Sequence, residues 1–512
     1  MTALPLLGRG RRARRQRAVE VGASLQVCGT LLKYLSVSAL FPLFVALGYG
    51  ETWWIWLAAL GITAAAGLAL ERVPGDPLRI GVREGFLIVS LTWLLAAAFG
   101  ALPYMLSGEP QLDNIVDAYF EAMSGFTTTG ASILTNIPDV SHSLLMWRQF
   151  TQWIGGMGII VLALAVLPRL RIGGRQLLEN EMPGPEMEPL TNSIRSTAQR
   201  LWLLYVALTA IMALVLAAFG WTGIDDEMGI FDAVAHAFAT LPTGGFSTRA
   251  TGVAEYAAAS QWVVTVFMLL AGINFALLYR AMVRRQPRAA ARDEELRVYL
   301  LVVAVASAII LVDLLGEGVL GGEAAVRHAI FQVVSIMTTT GFGSTDFALW
   351  PSLAAMVLVA LMFVGGSAGS TSGSIKVVRH IIVARILRRE LDETVHPEIV
   401  SPVRVNRRMV DDPTLRAVLT FVLLYVGIFS AGAIGLVIDA TRTDTSVTPF
   451  EAIAAAATTL GNVGPGFGFA GPFGSFDEFS PLSKVIMIVL MWLGRLEILP
   501  IVILLTPRFW RR

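Results

Sequence analysis

Four short segments of this 512-residue chain align with one another without a gap, each between two apolar stretches long enough to cross a bilayer. Anchored on Gly130, Gly245, Gly341 and Gly464, the residue twelve positions earlier is Ala118, Ala233, Ala329 and Ala452. Six positions earlier it is small (Ser124, Ala239, Ser335, Thr458), and four positions earlier it is Phe126, Leu241, Met337 or Leu460. The turns read Thr127-Thr128-Thr129-Gly130, Pro242-Thr243-Gly244-Gly245, Thr338-Thr339-Thr340-Gly341 and Gly461-Asn462-Val463-Gly464. Anchors separated by 115, 96 and 123 residues describe a fourfold repeat with connections of unequal length. One such turn is an ordinary helix ending; four in register, each after an apolar stretch too short to span, are re-entrant loops.

Such a pattern needs a membrane around it, and the composition agrees: 55% of residues are apolar and 15% charged. A bilayer core takes about 20 helical residues. Ten spans can be drawn, near 27–47 and 53–70, then in pairs at 84–106 and 144–167, 200–219 and 260–283, 296–315 and 352–390, and 414–438 and 483–506. The 352–390 stretch is too long for one span. The predicted fold is an all-α integral membrane protein, with four pseudo-symmetric helix/pore-loop/helix repeats around one central pore and two extra N-terminal helices. The repeats occupy 84–175, 176–290, 291–400 and 401–512, after an N-terminal region at 1–83 comprising a basic tail and the two extra helices.

Threading the spans with the N-terminus in the cytoplasm places most of the 39 Lys and Arg residues inside, in Arg9 to Arg17, 169–200, 280–297 and Lys376 to Arg416. Outer segments keep Arg249, Arg327 and Arg442 among many acids, including Asp113, Asp117, Glu121, Asp225, Asp226, Glu227 and Asp477. Those acids either concentrate cations at an outer mouth or merely mark the outer side. No cleavage-type ending follows the first apolar stretch, so the first helix is expected to stay. The lone Cys28 excludes an internal disulfide, and the five histidines, His142, His236, His328, His380 and His396, have no metal-ligand spacing. With no HExxH and no glycine cluster between a strand and a helix, an intramembrane enzyme is a remote alternative and no cofactor is expected.

Irregular backbone at membrane depth is tolerated where it is buried in protein or lines water. Four turns meeting on one axis would turn carbonyl oxygens towards it, a neutral ligand set suited to a monovalent alkali ion. A divalent ion would call for carboxylates, and no turn has one. Further along, the 352–390 stretch breaks into Gly365, Gly366, Ser367, Ala368, Gly369, Ser370, Thr371, Ser372, Gly373 and Ser374. That run is either a flexible polar segment beside water or a glycine-rich kink for close packing. Arg495, inside the last span, needs polar partners; it faces the pore or a polar loop, or forms a structural salt bridge across repeats. Glu497 lies two residues away on another helical face, an unlikely partner. Arg148 poses the same question.

SGFTTTGAS at 124–132, LPTGGFSTR at 241–249, TTTGFGS at 338–344 and GNVGPGFG at 461–468, with QWIGGMGI, GGSAGSTSGSIK and GRLEIL, give a chain that resembles the Trk/Ktr/HKT superfamily of potassium transporters. The likeness covers nearly the whole chain and is greatest to the bacterial Trk-type membrane subunit. It implies potassium uptake through a gated pore in the cell inner membrane. The filter and potassium-binding residues would be Thr128, Thr129, Gly130, Thr243, Gly244, Gly245, Thr339, Thr340, Gly341, Asn462, Val463 and Gly464. It also implies a gate made of the 365–374 loop and Arg495, a homodimer, and a separate cytosolic nucleotide-binding regulatory subunit. Membrane lipid is the other partner, and nucleic acid is not one. Some plant relatives carry serine at the first anchor and favour sodium; Gly130 stands here. Pro242 fixes its own φ and lacks an N–H, so the geometry of the second turn is the least determined of the four by sequence. A carrier coupled to protons or sodium is the alternative, with Glu497 as its candidate second ion site.

Overall fold

The computed structural model describes residues 19–166, 194–398 and 401–511. The run Arg9 to Arg17, most of the 169–200 linker and the boundary expected at 175/176 lie outside the described residues. The described chain is helical apart from loops and one two-stranded hairpin, Arg404–Val405 against Arg408–Met409.

Two N-terminal helical spans come first, Val21–Tyr49 and Trp54–Glu71. They cross at a glycine pair: a Cβ on Gly29 would lie 2.5 Å from the Gly67 carbonyl oxygen, and one on Gly67 2.8 Å from that of Gly29. Small residues of this kind let backbones approach in a bilayer. Four repeats follow. Their first helices are Val82–Ser107, Ile194–Trp221, Glu294–Gly316 and Asp412–Thr443. Each leads to a short buried helix, Ile115–Phe126, Ile230–Thr240, Gly322–Met337 or Pro449–Gly461, called here a pore helix. The sequence expects these to be too short to span, and their shared alanines have no exposed surface, so four near-identical buried faces pack at the centre.

The second helices depart from expectation. Spans 260–283 and 483–506 are not single rods. The first is Ala258–Ala271 and Phe275–Val283, bent by 106°. Asn274 starts the new helix, its side chain accepting from the amides of Ala276 and Leu277. The other is Pro481–Arg495 and Leu499–Leu505, bent by 117°. Glu497 and Ile498 hold φ of 56° and 61° in this break, a conformation that is an outlier for a β-branched residue. Hydropathy sums apolar character and cannot register such a break. In repeat three the helix Ser352–Leu361 gives way to loop and resumes at Val377–Val395, two residues later than the sequence suggests. The second helix of repeat one, His142–Val166, is continuous.

Candidate functional site

The four turns follow one construction. Each pore helix ends, and the amide of the residue just before the anchor returns to the carbonyl six positions before the anchor. These bonds are Thr129 to Ser124, Gly244 to Ala239, Thr340 to Ser335 and Val463 to Thr458, at 2.8–2.9 Å. The residue two before each anchor is left-handed, with φ of 53° at Thr128, 57° at Thr243, 57° at Thr339 and 52° at Asn462. Three of these are threonines, for which positive φ stores about 1–3 kcal/mol each, a cost typical of functional sites. The anchors are left-handed too: φ is 81° at Gly130, 78° at Gly245 and 84° at Gly341, but 113° at Gly464. The second turn, the one least determined by sequence, thus follows the geometry of the first and third. Proline sits outside the left-handed pair and keeps its own φ, whereas the odd anchor is in repeat four, where Pro465 follows Gly464.

The turns close a ring. A Cβ on Gly130 would lie 2.2 Å from the Gly244 carbonyl oxygen, one on Gly245 1.8 Å from that of Thr340, one on Gly341 2.0 Å from that of Val463, and one on Gly464 2.8 Å from that of Thr129. Each anchor thus receives the carbonyl of the next repeat's penultimate turn residue, in the order one, two, three, four and back to one. Glycine is needed here as much for this approach as for its φ. All four anchors line one 330 Å³ cavity. Side chains brace the ring from behind: Gln152 donates to Gly244 O at 2.7 Å and accepts from the Phe246 amide at 3.1 Å, and Asn462 donates to Thr129 Oγ1 at 2.9 Å.

Arg148 and Glu121 form a fully buried pair at 2.7 Å. The guanidinium also donates to Ser132 Oγ and to Ser247 O, and lies 4.2 Å from the Phe246 ring centre, tying repeat one to repeat two. This answers the question of Arg148: its partner is a pore-helix glutamate that the sequence groups with the outer acids. Most of those acids are similarly engaged. Asp117 and Asp477 meet the buried Lys484 at 2.6 and 3.4 Å, Asp225 accepts from the Ala257 amide, and Glu227 faces Arg249. The charged residues lining the cavity are Asp477, Glu478, Arg148 and Arg249, a mixed rim rather than an acidic one.

Beneath the ring runs the 365–374 loop. The Gly373 amide donates to Thr339 Oγ1 at 2.7 Å, and a Cβ on Gly373 would lie 2.3 Å from Gly461 O. Thr371 Oγ1 donates to Leu241 O at 3.0 Å, Ser374 Oγ to Met362 O at 2.7 Å, and the Ser367 amide to Gly272 O at 2.9 Å. Phe275 N donates to Gly369 O and the Ala368 amide to Glu295 Oε1. Gly365 and Gly366 pair with Ile375 and Val377 at the loop's neck; Ser370 turns back on Ser367 O, and a Cβ on Gly366 would strike the Ser372 hydroxyl. Arg495 reaches this loop: Nη1 donates to Thr371 O at 3.0 Å and Nη2 to Gly155 O at 2.9 Å.

Four residues below the ring carry roles that the sequence reading misplaces or misses. Lys376 and Arg379, counted with the cytoplasmic segment, are buried: the Lys376 ammonium donates to Ser372 O inside the loop, and Arg379 pairs with Glu497 while stacking 3.8 Å from the Phe421 ring centre. Glu497 sits in the helix break, so helical-face geometry does not govern it. Glu295 accepts from the amides of both Ala368 and Val378, holding the two sides of the loop. Lys376 closes the GGSAGSTSGSIK string, whereas nothing near Glu295 in sequence announces its task.

Comparison with known proteins follows the same outline. The family model described as TrkH, cation transport protein, matches residues 59–512. The chain is 38% identical to the Trk system potassium uptake protein TrkH of Halomonas elongata over 95% of this chain and 99% of that one. It is 36% identical to TrkH of Escherichia coli K12, over 96% and 99%. The crystal structure of the potassium transporter TrkH from Vibrio parahaemolyticus superposes with a TM-score of 0.84 at 32% identity, covering 96% of this chain and all of that one.

Proposed function

This chain belongs to the TrkH family of cation transport proteins, and from that premise we propose that it admits potassium through a gated, potassium-selective pore whose filter is the ring of four turns. It is a multi-pass membrane protein of the Trk potassium uptake type, a transporter and not an enzyme, with potassium as its substrate. The observation that carries the filter reading is the cyclic closure, each anchor glycine against the next repeat's carbonyl. In this reading the turn backbones would supply neutral oxygens around one axis, as a dehydrated alkali ion requires. Four pore helices end at it, and helix C-termini carry partial negative charge that favours a cation. The twelve turn residues named above are the proposed ion-binding set.

Below the ring, the loop and Arg495 are the proposed gate: the guanidinium contributes a fixed positive charge against the pathway and at least two hydrogen bonds to loop and helix carbonyls. Passive gated conduction is favoured over coupled transport because Glu497, the carboxylate a coupled site would use, is committed to Arg379. We further propose an inner-membrane homodimer with a cytoplasmic N-terminus and a separate cytosolic nucleotide-binding subunit, the two N-terminal helical spans and the four repeats leaving no regulatory domain among the described residues. The test of the filter is Gly130→Ser in proteoliposomes, read as the potassium to sodium flux ratio. A lower ratio supports the reading; a folded, conducting variant with the wild-type ratio removes Gly130 from the filter. Flux that runs down the potassium gradient whatever the imposed proton gradient supports conduction, and flux that follows the proton gradient supports the carrier.

A further inference from the structure

The pore helices differ at one buried position, nine residues before the anchor: Glu121, His236, Gln332 and Ala455, all without exposed surface. In three repeats this side chain reaches a serine just past the anchor, on the strand leaving the ring. Glu121 accepts from Ser132 Oγ at 3.0 Å and from the Ile133 amide at 3.0 Å. His236, whose Nδ1–H donates to Asp232 O at 2.8 Å, places its acceptor Nε2 3.0 Å from Ser247 Oγ, whose one proton it shares with Gly252 O at 2.6 Å. Gln332 donates to Ser344 Oγ at 3.2 Å. In repeat four the position is alanine and the strand begins Pro465-Gly466, with Gly466 bonded instead to Ala470 of its own loop. Three anchors lie within 78–84° in φ, and the fourth is at 113°.

We propose that this side chain is a specificity-determining positioning residue: it clamps the exit strand to its own pore helix in repeats one to three and so fixes the anchor, leaving repeat four the compliant side of the ring. The proposal rests on the ring being a potassium filter. The physical argument is one of freedom. A glycine in the left-handed region has a broad basin of backbone angles, and discrimination between ions of similar charge requires that the oxygens it positions not drift. A buried hydrogen bond on the strand two or three residues later removes that drift. Alanine can supply no such bond, so repeat four lacks the clamp.

The chain contains its own controls. His236→Ala gives repeat two the residue of repeat four, and His236→Gln gives it the residue of repeat three. In proteoliposomes with measurable potassium flux, His236→Ala is expected to lower the potassium to sodium ratio about tenfold, the loss of roughly one buried hydrogen bond, while His236→Gln recovers most of it. Gly245→Ser is measured alongside as the test of the filter itself. If Gly245→Ser lowers the ratio and His236→Ala does not, the clamp is wrong and the filter stands. If neither lowers it, the filter reading falls and the clamp falls with it. Equal loss in His236→Ala and His236→Gln also overturns the clamp, because the bond would not be what matters. Should His236→Ala fail to fold, Gln332→Ala is read in the same way, with a smaller drop of about threefold because His328 also holds Ser344, at 2.8 Å.

Discussion

The ring and the layer beneath it are built on opposite plans. The ring is made four times over from backbone, with the same return bond and a left-handed residue at the same position in every repeat. The lower layer is made once: repeat three lends the loop, repeat four lends Arg495, and repeats one and two contribute carbonyls at Gly155 and Leu241. Sameness suits a spherical ion that must lose water evenly on all sides. Asymmetry suits a gate, since a single segment can move without disturbing the other three repeats. The ring's strength thus lies in steric closure, whereas the lower layer depends on charge and side-chain hydrogen bonds.

The largest effect is expected from breaking the ring's brace. Arg148→Met strands Glu121 as an unpaired buried carboxylate, a loss of about 3–5 kcal/mol in stability, to be read from thermal unfolding in detergent. Adding Glu121→Leu should return much of it, which a single-role arginine would not allow. Next comes the ring itself. A side chain at Gly245 must displace the Thr340 carbonyl, 1.8 Å from where its Cβ would stand, and Gly245→Ser is expected to cut potassium over sodium discrimination about a hundredfold. Smaller still is the effect expected at the proposed gate. Unit charges about 5 Å apart repel by about 3 kcal/mol at an effective dielectric near 20, an upper bound for a charge already satisfied by carbonyls. Arg495→Ala is therefore expected to raise basal rubidium uptake about tenfold with the ion ratio intact. Shortening the loop should leak as well, and the double variant should gain less than the two gains combined because one barrier is shared. A silent, folded Arg495→Ala protein would make the arginine a structural anchor and erase the contrast between the two layers.

The ring was the more legible of the two in sequence, for a physical reason. A backbone site repeated four times leaves four copies of the same demand, small residues and glycines in fixed register, so Ala118, Gly130 and their counterparts stand out without a structure. The position nine before each anchor carries a different residue in every repeat, so no shared residue type marks it in sequence. The lower layer is legible only in part: the 365–374 string and Arg495 violate hydropathy and draw attention, but Glu295 and Arg379 look like ordinary helix-terminal charges. Their partners lie 73 and 118 residues away in sequence. The bends after Ala271 and Arg495 were hidden as well, since Gly272-Ile273-Asn274 and Leu496-Glu497-Ile498 keep the hydropathy of a span while departing from helical backbone.

The central claim is that four neutral turns share one ion, and locating that ion tests it most directly. Crystals grown in rubidium and measured at its absorption edge should show anomalous density on the axis between Gly130, Gly245, Gly341 and Gly464. Added sodium should weaken that density less than added potassium does. Density confined to the acidic side chains Asp477 and Glu478, with none between the four glycines, would contradict it.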